Sequence, residues 1–149
     1  MYRSAEAFFR ERGEVLRAQR AADRWHDEIV LGDYYSALVR RLEALYAEKP
    51  DSVTLEQGRR EAAAWARSQL EGPVGQSLRT IRIGRLAERP INNAQLIGAR
   101  IYRTRLDLFE GWYEQHGRDI RQSVSALKTL MAGAEGDSAY ARLEKAVAR

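Results

Sequence analysis

Apolar residues recur at steps of three and four along nearly the whole chain, the period of a helix laid against a core. Ala7 and Phe8 with their neighbours predict a short first helix that stops at Gly13. From Glu14 to Glu48 there is no proline. Val15, Ala18, Ala22, Trp25 and Ile29 form one stripe there, and Tyr35, Leu38, Leu42 and Leu45 form another. The two stripes fall out of register around Gly32-Asp33, which predicts either two helices or one helix bent at that point, because glycine weakens a helix interior.

The string "KPDSVTLEQ" ends that run, and Thr54 with Gln57 has capping-box spacing for a third helix. Leu55, Ala62, Trp65 and Leu70 carry that helix to the turn signal "EGPVG". Residues 71–91 read as an irregular loop, in which "SLRTIRI" fits a short strand or one more helical turn. In "RPINNAQLIGARIY" the second of two adjacent amides needs separate explanation. Asn92 fits an N-cap with Gln95 at the third helical position, and Ile91 with Leu96 fits the accompanying hydrophobic staple. Leu96, Ile97 and Ile101 then read as one apolar face, with Tyr102 at the end of the turn. Thr104 is the expected cap of a helix carrying Leu106, Phe109, Trp112 and Tyr113 and ending at His116-Gly117. Asp119 with Gln122 caps the next, which carries Ile120, Val124, Leu127 and Leu130. After "AGAEGD" comes a terminal helix, Ser138–Ala148.

The pattern predicts an all-α fold: a helical bundle of about six helices forming a single domain over 1–149, with residues 133–149 a weakly attached terminal helix. Apolar residues at 44% and charged ones at 31% place the chain among soluble globular proteins. No apolar run approaches the roughly 20 residues of a membrane span, and "MYRSAEAFFRERG" lacks the basic-then-apolar order of a signal peptide. With no cysteine, disulfides and thiolate zinc sites are excluded.

The net charge of +4 matters only if the cations cluster. Arg79, Arg82, Arg85, Arg89, Arg100, Arg103 and Arg105 face a single acid between them, Glu88. Such a stripe suits phosphates, but neither an aromatic-glycine RNA-binding signature nor a helix-turn-helix accompanies it, and a solvated or carboxylate-facing surface is the favoured reading. The chain has two histidines, His26 and His116. "RWHDE" resembles a ligand cluster only superficially, since consecutive helical residues point about 100° apart and His26, Asp27 and Glu28 cannot converge on one ion. His26 reads as a partly exposed helix residue and His116 as a partner of a helix C-terminus. No nucleophile elbow, phosphate loop or dinucleotide glycine pattern occurs. Trp25, Trp65, Phe109 and Tyr113 read as core. Tyr102 admits two readings, a buried phenol bonded to a backbone carbonyl or a side chain that faces a ligand.

The run "INNAQLIGARIYRTRLDLFEGWYEQHGRDIRQSVSALKTL" resembles the C-terminal end of the predicted bacterial zinc aminopeptidases. Their pattern there is Asn-Asn-Ala-x-Leu, then Tyr, a hydrophobic-Pro-x-Phe, Gly-Gly-Asp and Val-x-x-Leu. Upstream, "SAEAFFRERG" and "LVRRLEALY" match the part that follows the metal site in that family, so the resemblance covers most of residues 4–131. It departs where Gly-Gly-Asp becomes Gly117-Arg118-Asp119, where the proline before Phe109 becomes Asp107, and where the family's His-Glu-x-x-His is missing altogether. The resemblance implies the C-terminal portion of a longer metallopeptidase-like protein, a peptide hydrolase using zinc as Lewis acid. In such a protein these helices wall the substrate cleft and Asn93, Tyr102 and Asn92 stand near the peptide. Within this chain no catalytic residue and no metal ligand is expected, no cofactor is bound, and activity alone is not expected. The same resemblance suggests the cell envelope. Two alternatives stand beside it: a helical interaction module that takes a protein partner or a second copy through exposed apolar helix faces, and nucleic-acid binding through the arginine stripe.

Overall fold

The computed structural model describes residues 2–84, 92–136 and 138–148, the side chains of Asn93 and Arg100 excepted. The described residues form helices without a strand, so the fold is all-α. Eight helices appear among them: α1 (Tyr2–Glu11), α2 (Val15–Ala47), α3 (Ser52–Glu71), α4 (Pro73–Ser77), α5 (Asn93–Arg103), α6 (Leu106–Gln115), α7 (Ile120–Met131) and α8 (Ser138–Val147). The eight include a five-residue turn, α4, that begins at a proline, the residue best suited to a first helical position. Of the expected loop 71–91, residues 78–83 are irregular and residues 85–91 lie outside the described set, as does Ile91 of the proposed staple.

Contacts divide the chain into two compact units, residues 22–104 and residues 1–21 with 105–149. In the first, α2 passes through Gly32-Asp33 as one continuous helix, so of the two expectations the pair of separate helices does not hold. Glycine stands at position 32 for another reason. A Cβ there would lie 2.7 Å from the carbonyl oxygen of Arg103, so α2 needs a residue without a side chain where α5 ends against it. Leu31, Tyr34 and Leu38 of α2 pack with Ala62, Ala66 and Leu70 of α3 and Leu96 of α5. Tyr34 donates its hydroxyl hydrogen to the Ala66 carbonyl at 3.3 Å, and its ring stacks on Trp65 with centroids 6.3 Å apart. The cap of α3 is Asp51 and not Thr54: the Asp51 carboxylate accepts the Thr54 amide at 2.8 Å, one turn earlier than expected. Both residues suit the role, and the carboxylate directly before the first helical residue takes it.

The second unit is centred on Leu108, Trp112 and Leu143. Leu143 of α8 is fully buried in this core. Trp112 donates its indole N–H to the Ser123 carbonyl at 2.9 Å, tying α6 to α7. Asp119 caps α7 as expected, accepting from the amides of Arg121 and Gln122. Thr104 does not cap α6. That position belongs to Arg105, in the left-handed region at φ 52°, with no side-chain cap bond. A buried Glu6 is held by Arg3 and Arg10, and Arg3 also reaches Glu110. Among the described residues no helix is long and apolar enough to cross a membrane.

Candidate functional site

α5 carries the residues singled out above. Asn92 has extended backbone angles, and its side-chain oxygen accepts the Gln95 amide at 2.9 Å, so the first of the paired amides is a helix cap. Asn93 opens the helix, and its side chain lies outside the described residues. Tyr102 is 78% exposed. That disposes of the buried phenol bonded to a carbonyl. Positions 93 and 102 are nine residues apart, which at about 100° per residue leaves them half a turn out of phase. A ligand lying on one side of α5 therefore meets one of these positions and not both. The apolar residues also divide between faces: Leu96 and Ala99 are buried, whereas Ile97 and Ile101 are exposed beside Tyr102.

α2 dictates how α5 is seated. Glu28, nearly buried, accepts from Arg103 Nε at 2.7 Å and from Arg24 at 3.0 Å. The Arg103 guanidinium lies 5.8 Å from the centre of the Tyr35 ring, and its backbone carbonyl rests over Gly32. Beside these contacts opens a cleft of about 160 Å³. Tyr35, Ser36, Val39, Arg40 and Glu43 of α2 line one wall, and Ala99 with Thr104 line the other. Tyr102 follows Ala99 by three residues and is its neighbour on the helix surface. Ser36 and Arg40 sit one turn apart in a single row, and neither has a hydrogen-bond or ion-pair partner among the described residues.

Below the cleft, the string "RWHDE" is taken apart by three different partners. His26 Nε2 donates to the Ser77 carbonyl at 3.1 Å. Asp27, fully buried, accepts the amides of Arg79 at 2.7 Å, Thr80 at 2.7 Å and Ile81 at 2.9 Å, with the Thr80 hydroxyl at 2.6 Å. Burial alone would push this carboxyl up. The Thr80 hydroxyl and the three amides outweigh burial and hold it below its ordinary value. Glu28 goes to α5. His116 donates from Nδ1 to the Trp112 carbonyl at 2.8 Å at the end of α6. Among the described residues no three His, Cys, Asp or Glu side chains approach one point.

Three of the seven arginines of the stripe are paired, and Arg82 is exposed with no partner among the described residues. Arg79 pairs with Asp23 at 3.1 Å, Arg103 with Glu28, and Arg105 with Asp107 and Glu144. Arg85 and Arg89 and the Arg100 side chain lie outside the described residues. What sequence reasoning missed is the buried Asp27 and the Ser36–Arg40 row. Asp27 extends the row Leu31, Tyr34, Leu38 by one helical step, so an acid on an apolar row was the available signal. For Ser36 and Arg40 there was none, since polar residues on a helix read as solvated surface.

No curated protein and no solved structure matches the chain. The family model described as "Putative aminopeptidase" matches residues 2–140, and the chain belongs to that family.

Proposed function

We propose that the α2–α5 cleft is the substrate wall of a peptide hydrolase, with this chain shaping the groove and residues outside it holding the zinc. The observation that supports this most directly is Tyr102, a phenol held in solvent beside the cleft with no hydrogen-bond partner among the described residues. A buried structural tyrosine would have found one. In this reading Tyr102 donates to the oxyanion that develops on the scissile carbonyl. Asn92 keeps the helix start in place, and position 93, half a turn away from Tyr102, is given no contact with the same peptide. With two histidines engaged by carbonyls and Asp27 enclosed by amides, the chain alone does not activate water.

The test is a fusion of this chain to a metal-bearing N-terminal half from the same family. Tyr102→Phe should lower kcat by about a hundredfold, the usual size of a lost oxyanion donor, and an unchanged kcat retires that role. The separate chain, assayed for metal content and peptide release, should show neither. Stoichiometric zinc with turnover would overturn the ligand-poor reading.

A second reading has its own support. Phe8 of α1 and Val15 and Leu16 of α2 are 52%, 74% and 79% exposed, apolar surface of the sort that draws a protein partner or a second copy. Nucleic acid is disfavoured, because Arg79, Arg103 and Arg105 already face carboxylates.

A further inference from the structure

The α2–α5 cleft combines an apolar interior with Arg40, a cation that has no ion-pair partner among the described residues. Val39, Ala99 and the Tyr35 ring give it apolar lining, and its volume of about 160 Å³ is close to the roughly 150 Å³ that accommodates one benzene-sized group. Ser36 and Arg40 place a hydroxyl and a guanidinium one helical turn apart along the same wall, close enough to share one small anion. Guanidinium and hydroxyl donors match the two oxygens of a carboxylate. Glu43 belongs to the same lining, and its carboxylate repels a dianion more than a monoanion.

We infer that this cleft is a terminal-carboxylate subsite. It takes the last residue of a short peptide, with an aliphatic or aromatic side chain against Val39 and Ala99 and the carboxylate on Arg40 and Ser36. The inference rests on the peptide-wall reading above and deepens it. An aminopeptidase that grips the far terminus so near its cleft acts on peptides of a few residues and discriminates against long ones. Arg40 and Ser36 are then specificity-determining and take no part in bond cleavage.

The assay needs no turnover. Methyl resonances of Val39 and Ala99 are followed in this chain during titration with N-acetyl-leucine, N-acetyl-leucinamide and inorganic phosphate. The acid should give saturable shifts at both methyls, and the amide should bind about tenfold more weakly or worse. Arg40→Gln should cost the acid a similar factor, whereas Arg41→Gln, whose guanidinium lies over Trp65 instead, should cost nothing. Both arginines are exposed, so the fold survives either change. Equal binding of acid and amide overturns the inference. So does phosphate binding as tightly as the acid, indifference to Arg40→Gln, or no shift up to roughly 50 mM acid, where even a weak subsite would fill. Acid-selective binding together with a fusion indifferent to Tyr102→Phe overturns the oxyanion role and leaves the carboxylate site standing. Tyr102-dependent turnover without acid selectivity does the reverse.

Discussion

Replacing Asp27 by alanine removes an acceptor that four donors share. Each hydrogen bond to a charged group contributes about 1.5–3 kcal/mol, and a simple sum over four would overshoot. Once residues 79–81 come away from α2, water takes over their amides, so the loss is limited to what it costs to detach that segment. Removing one partner from a buried charged set typically costs about 3–5 kcal/mol, and that is the expected destabilisation. It is a large share of the roughly 5–15 kcal/mol available to a domain. Asp27→Asn keeps the volume but turns an NH2 group toward donors, and it should recover at most half of the loss. Urea unfolding gives the total, and hydrogen exchange at the amides of Arg79, Thr80 and Ile81 locates it. These amides should be protected in the parent chain and exchange freely in the alanine variant. The pH dependence has a definite sign. The folded carboxyl lies below its ordinary value, so its contribution is complete above the unfolded pKa of about 3.9 and is lost as the pH falls through the folded value. Protection at 79–81 should therefore hold from neutral pH to about 5 and fail only in stronger acid. A loss under about 1 kcal/mol with these three amides still protected would refute the reasoning.

Gly32→Ala sets two effects against each other. Helix propensity favours alanine by about 1 kcal/mol, whereas the new methyl meets the Arg103 carbonyl at 2.7 Å; net destabilisation of about 1–3 kcal/mol is expected, and a more stable variant in thermal unfolding would show that α5 does not approach so closely. Burial, with a smaller contribution from Tyr35, pushes Tyr34 up to about 12. Its folded pKa is raised, so the stabilisation is intact below about 10, where an exposed phenol ionises, and disappears as the pH climbs toward 12. Burial also raises Tyr113, so absorbance at the tyrosinate band should show late-titrating phenols, the last of them ionising as the chain unfolds, and a full complement titrating near the ordinary value would contradict it. Leu16→Glu should abolish any concentration-dependent sedimentation while leaving unfolding within about 0.5 kcal/mol, as befits an exposed site. Persistent association would move the sticky surface elsewhere.

Where structure is local, the letters were enough. Asn92 and Asp119 cap helices because each side chain bonds an amide two or three residues ahead, and the spacing is visible in the string. Thr54 has the spacing of a cap, yet Asp51 takes the position, and only the backbone course decides that. Gly32 looked like a break because a sequence shows weak helix propensity and not the carbonyl of Arg103 lying against it. Ile97 and Ile101 shared a presumed face with Leu96, yet α5 has one buried side and these two lie off it. The cleft was illegible for a related reason. Its walls come from segments some sixty residues apart, and nothing in "YSALVRR" distinguishes an arginine that faces a cavity from one that faces water. Family resemblance covers both walls, through "LVRRLEALY" and the run that begins at Ile91, yet nothing in either string says that Arg40 and Ala99 line one cleft.

Asp27 engages residues 79–81 as a set. Three amides and a hydroxyl depend on a single carboxylate, so they cannot be surrendered one at a time, as the rungs of a fraying helix can. Motion of residues 79–81 should be all-or-none, a bolt that is either shot or drawn. A protease offered this chain would find that stretch closed most of the time and wholly open for the remainder, with no half-loosened form between.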